Sequence, residues 1–153
     1  MEPIKENIYR IYNIEDIKRF LIGGQATITL ESKKTNRWFT YKIKSHKDNE
    51  SIFFVSVLTG TDNESNYTYI GTIFNNLALL PKFKLTKNSK ISETSPSFVA
   101  FNYFFINLIN NRLHPDLAVY HNGVCCCCGR TITTPESLKT GIGPFCASRY
   151  QKS

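Results

Sequence analysis

The chain has 153 residues, of which 41% are hydrophobic, 13% aromatic and 20% charged, and a formal net charge of +7. A chain of this size buries about 68–70% of its unfolded surface, so a single domain with at most a small appendage needs no staples for its core. No apolar run approaches the 18 residues of a membrane span, and Met1-Glu2-Pro3-Ile4-Lys5 lacks the apolar stretch of a signal peptide, so an intracellular, cytoplasmic protein is expected.

The charge is unevenly spread. Residues 1–44 hold 9 basic and 5 acidic groups (+4), residues 45–81 hold 1 and 4 (−3), residues 82–90 hold 4 and 0 (+4), and residues 91–153 hold 5 and 3 (+2). Concentrated basic charge is the footprint expected for an anionic partner.

In chain order, the first periodic stretch follows Asn13. Ile14, Ile17 and Leu21 recur at helical spacing, Asn13 can cap, Glu15 and Asp16 lie in the first turn, and Gly23-Gly24 stop the helix. After Gly24 the period changes to two. Ala26, Ile28 and Leu30 alternate with polar neighbours. Past a polar hairpin loop, Phe39, Tyr41 and Ile43 fall on one face, and Trp38, Thr40 and Lys42 on the other. Phe53 to Leu58 and Tyr67 to Phe74 read as two further strands, around a polar turn carrying Asp62 and Glu64. Short strands at this spacing form an antiparallel meander. Phe83-Lys84-Leu85 adds a lysine-guarded edge strand. Ser95-Pro96 starts a helix over about residues 96–111, with Phe98, Phe101, Phe105 and Leu108 as an apolar stripe, and Pro115 lies beyond its end.

All five cysteines lie between residues 125 and 146. In a reducing compartment, cysteines this close are metal ligands before they are disulfides. Cys125 and Cys128 have the spacing that lets one tight turn present two thiolates, and Gly129 permits the positive φ of such a knuckle. Cys126 and Cys127 should point away, as buried thiols or spare nucleophiles. Cys146 supplies a third sulfur after Gly143-Pro144. His121 is the expected fourth ligand, with His114 as its competitor. Thr134-Pro135 starts a short helix between the ligands, and Gly141 ends it. Four protein donors describe a closed, structural zinc site.

The pattern His121-x3-Cys125-x2-Cys128-Gly129-Arg130-x-Ile132-Thr133-x-Pro135-Glu136-Ser137, with Gly141-Ile142-Gly143-Pro144-x-Cys146, resembles an uncharacterised zinc-site family common in phage, prophage and plasmid proteins. The resemblance extends upstream through Gly24-x-Ala26-Thr27-x-Thr29, Arg37-x-Phe39-Thr40-Tyr41, Asn66-Tyr67-Thr68-Tyr69-Ile70-Gly71 and Pro96-Ser97-x-x-Ala100-Phe101-Asn102. Tyr103 stands where Trp is usual and Ile132 where Leu is usual. The resemblance implies zinc and a mobile-element origin, and no activity.

Together these features predict an α+β fold: an antiparallel sheet of about four or five strands packed by a long amphipathic helix, with a C-terminal zinc-knuckle module. The expected division is residues 1–113 for sheet and helices and residues 114–153 for the zinc module, packed as one unit. Lys33, Lys34, Arg37 and Trp38 at one hairpin, Lys82, Lys84 and Lys87 in a second basic stretch, and Arg130 and Lys139 on the zinc loop form the expected surface for nucleic acid or a nucleic-acid-processing complex. Tyr67 and Tyr69, two apart, could stack bases. The alternative is an inhibitor that docks on a host machine and occludes it, using the acidic loop at residues 61–65 beside a basic remainder. No Ser-His-Asp spacing, phosphate loop or paired-carboxylate signal points to an enzyme.

Overall fold

The computed structural model describes residues 8–59, 66–75 and 80–151. Seven antiparallel strands form one sheet in the order β1-β7-β2-β3-β4-β5-β6. The meander β2 (Gln25–Ser32), β3 (Trp38–Ser45), β4 (Ile52–Leu58), β5 (Tyr67–Phe74) and β6 (Lys82–Lys84) follows the period-two pattern of the sequence. Two further strands, β1 (Tyr9–Arg10) and β7 (Leu117–His121), complete it and raise the count above four or five. β7 lies inside the sheet, pairing Ile28 with His121 and Leu30 with Val119 on one side and Tyr9 with His121 on the other. The expected boundary at residue 113 therefore falls before a strand of the sheet itself.

Alternation gives the sheet two unlike faces. One carries Ala26, Ile28, Leu30, Tyr41, Ile43, Phe53, Val55, Val57, Ile73 and Val119, all buried. Helices α1 (Ile14–Leu21) and α2 (Pro96–Ile109) cover this face. Asn13 caps α1 by accepting a hydrogen bond from the Asp16 amide at 3.2 Å, and Ile17, Phe20 and Leu21 point into the core. Tyr41 binds α2 to the sheet: its hydroxyl donates to the Ser97 carbonyl at 2.7 Å, and its ring lies 4.9 Å from that of Phe101. Phe83 closes the same cluster against Phe98 and Phe101. The opposite face carries Trp38, Lys42, Lys44, Phe54, Tyr67 and Tyr69, and among the described residues no helix crosses it.

The expectation of a long amphipathic helix is corrected. α2 has 14 residues and no charged side chain, and apolar groups occupy its outward side as well: Val99, Tyr103 and Ile106 are about half exposed. The inward stripe of Phe98, Phe101, Phe105 and Leu108 exists, but no polar face opposes it. Ser95 sits at the N-cap without making a side-chain capping bond, so Pro96 carries the start of the helix.

Candidate metal centre

The C-terminal module is built outward from β7. After Gly123 the chain makes a small hairpin, closed by a bridge between Val124 and Thr131. The tip holds four consecutive cysteines. Cys125 donates its amide to the Arg130 carbonyl at 2.8 Å, and Gly129 returns one to the Cys125 carbonyl at 3.0 Å. Gly129 has φ 76°, the left-handed conformation that a knuckle requires and that a Cβ would strain. Gln25 anchors the tip to the sheet: its amide donates to the Cys126 carbonyl at 2.7 Å, and its side chain donates to the Cys127 carbonyl at 3.0 Å.

The return path supplies the third sulfur. The Thr134 hydroxyl accepts from the Ser137 amide at 3.4 Å and caps α3 (Pro135–Thr140), which Gly141 closes in a left-handed turn. Pro144 then opens α4 (Pro144–Gln151), with Cys146 in its first turn. The sulfurs of Cys125, Cys128 and Cys146 thereby lie within 4.8 Å of one another. Cys125 and Cys146 are buried and Cys128 is exposed.

This arrangement can hold a metal ion. The Cys125 sulfur accepts amide hydrogens from Cys127 at 3.4 Å and Gly143 at 3.2 Å, the kind of outer bonding that steadies a thiolate ligand. Burial, reinforced by the neighbouring sulfurs of Cys125 and Cys128, pushes the Cys146 thiol up to about 12. The Arg130 backbone amide, chiefly, draws Cys128 below its ordinary value. Three thiolates at this separation repel one another in the absence of a cation, and a bound cation inverts that balance. The sulfurs open on a cleft of about 550 Å³, whose other lining includes Cys127, Arg130, Thr134 and Phe145.

His121, the fourth ligand expected from the sequence, stands apart from the three sulfurs. The Gly123 amide donates to its Nδ1 at 3.0 Å. That bond uses the Nδ1 lone pair and places the ring proton on Nε2, which donates to the Leu138 carbonyl at 2.6 Å. Neither nitrogen has a lone pair left for a metal. The ring is 1% exposed, stacked on Tyr9 at 5.5 Å and packed against Phe20 at 5.8 Å, and burial lowers its pKa. His121 therefore joins β7 to α3. Its competitor His114 is exposed, accepts the Asp116 amide on Nδ1 and packs near Tyr103, also away from the sulfurs. Cys126 is fully buried at the seam between the tip and the sheet. Its contact with Cys127, above all, raises its pKa, and Cys127 lines the cleft.

The residues expected to bind a partner fall in separate places. Lys33, Lys34 and Arg37 sit at the exposed β2–β3 turn, where Arg37 lies 5.5 Å over the ring of Phe39, on the helix-covered side. Trp38 opens β3 on the opposite face. Lys82 and Lys84 flank Phe83 on the edge strand, and Lys87 follows in the next turn. Arg130 rims the sulfur cleft, whereas Lys139 lines a different groove with Tyr9, Arg10 and Tyr12. The acidic stretch at residues 61–65 lies outside the described residues. Lys44 and Phe54 were missing from the expected surface, although their outward direction is readable from the alternation within β3 and β4. None of the helices in the described residues is long and apolar enough to cross a membrane.

Residues 115–151 match a protein family of unknown function, DUF6011. The matched stretch contains β7, the four-cysteine tip and Cys146, and it leaves the meander and both larger helices outside. No curated protein and no solved structure matches the chain.

Proposed function

We propose that this is a zinc-containing accessory protein of a phage or another mobile element, acting by binding nucleic acid or a nucleic-acid-processing complex and not by catalysis. A soft, three-sulfur donor set with amide support suits zinc above the oxygen-seeking cations. Zinc held there would tie the knuckle to α4 and fix the path between them. The fourth donor would be Cys127 from the cleft wall, or water.

The observation that carries the binding half is the state of the basic side chains. Lys33, Lys34, Arg37, Lys82, Lys84, Lys87, Arg130 and Lys139 are all exposed. Among the described residues, ion pairs occur within α1 and between His114 and Asp116, and none engages these eight. Cations that no described acid pairs, on a +7 chain, suit a polyanion. The test is a polarisation titration of the zinc-loaded protein with labelled nucleic acid at rising salt. The logarithm of the binding constant should fall linearly with the logarithm of salt concentration. Absence of binding at low salt would remove the reading.

The exposed apolar side of α2, with Val99, Tyr103 and Ile106, favours the second reading, an inhibitor that occludes a host protein. Affinity capture from the host, with and without nuclease, separates the two. A stoichiometric protein partner that survives nuclease supports the inhibitor.

A further inference from the structure

The face of the sheet that no described helix covers is not an ordinary solvated face. Its cross-strand register sets Lys44 beside Phe54, Phe54 beside Thr72, and Thr72 beside Lys84, in one line across β3 to β6. The neighbouring line runs Thr27, Lys42, Ser56, Tyr69. With strands about 4.8 Å apart, Lys44 and Lys84 stand about 14 Å from each other, with an aromatic ring between them. Phe54 is 39% exposed. Tyr69 meets it edge-on at 6.1 Å, and its hydroxyl is held by Thr72 and by Thr86 at 2.9 Å, so the ring is fixed before any ligand arrives. Lys42 holds its ammonium 4.4 Å over the ring of Tyr67. Among the described strand residues facing this way the acid is Glu31, which accepts the Tyr120 hydroxyl at 2.9 Å.

Rigid aromatic rings alternating with lysines on a sheet face that no described helix covers match the chemistry of a chain of flat bases joined by phosphates. A duplex hides its base faces in the stack, whereas a single strand can lay them on Phe54 and Tyr69 and run its phosphates past Lys42, Lys44 and Lys84. We infer that the sheet face opposite the helices, centred on Phe54, is a platform for single-stranded nucleic acid. The inference rests on the nucleic-acid reading above and narrows it to one surface and one strand state.

The experiment compares labelled single-stranded DNA and RNA oligonucleotides of mixed sequence with their duplexes, and with inorganic polyphosphate as an anion without bases, on the full zinc-loaded chain. Single strands should bind at least about tenfold more tightly than duplexes. Phe54→Ala should weaken single-strand binding by about tenfold and leave polyphosphate binding unchanged, in line with the worth of one stacked base. The double variant Lys44→Gln/Lys84→Gln should lower the salt slope by about 1.4. Both lysines are exposed, so this variant keeps the test decisive if Phe54→Ala melts early. Equal or tighter duplex binding, or single-strand affinity and salt slope unchanged in the variants, overturns the platform while leaving nucleic-acid binding in place. Failure of every nucleic acid to bind overturns both and leaves the face to a protein partner.

Discussion

The helix-covered half of the molecule and its cysteine-bearing end are held by forces of different kind. The sheet and its helices cohere through many buried contacts of similar worth, spread over Phe20, Tyr41, Phe53, Phe101 and their neighbours. The C-terminal module has fewer such residues, among them Ile132 and Ile142, and relies on a few directional links: the amides on Cys125, the Gln25 anchor, and the bonds of His121. A distributed core loses stability in steps. A module hung on a few groups loses its form with one of them.

The sharpest break in that contrast should come from Cys128→Ser. Thiolate binding of zinc contributes on the order of 10 kcal/mol to small modules, so this change should release the metal and unfold residues 122–151 while the meander persists. Metal analysis and amide exchange read the two halves separately; a soluble variant with full metal content would abolish the contrast. Phe101→Ala comes next. It removes a fully buried ring at the centre of the aromatic cluster and should cost about 3–5 kcal/mol of global stability with metal stoichiometry unchanged. The smallest effect is expected from His121→Ala. It leaves the Leu138 carbonyl and the Gly123 amide without their partner and should cost about 1–3 kcal/mol, yet the protein should still bind one metal ion. Loss of metal in that variant would return His121 to the ligand set.

Much of the first half was legible because periodicity reports burial directly. The change from spacing three-four to spacing two at Gly24 marks the end of α1 and the start of β2, and the faces of β3 follow from alternation. The knuckle was legible for a different reason: Cys125, Cys128 and Gly129 are local, and a tight turn fixes local geometry. The errors share a cause, since spacing does not report which way a side chain points in three dimensions. His121 lies four residues before Cys125, yet as a strand residue it faces the helix-covered side, between Tyr9 and Phe20. β7 escaped notice because its buried pattern lacks alternation and follows Pro115 at the edge of the cysteine motif. In α2 the inward stripe of Phe98, Phe101, Phe105 and Leu108 was legible, but a stripe does not report what lies opposite it, and there Val99, Tyr103 and Ile106 are apolar too.

The placement of β7 also orders events in time. β2 through β6 pair with sequence neighbours and can assemble as soon as they leave the ribosome. β1 leaves first but pairs with β7, more than a hundred residues later. The beginning of the chain therefore waits for nearly all of the rest. Its docking closes the longest loop among the strand pairings of the described residues, and that closure brings Tyr9 onto His121 just before the cysteine tip is made. A nascent chain stalled before residue 117 would hold a formed meander with one open flank beside β2, and the cysteines would be added last to a scaffold already standing.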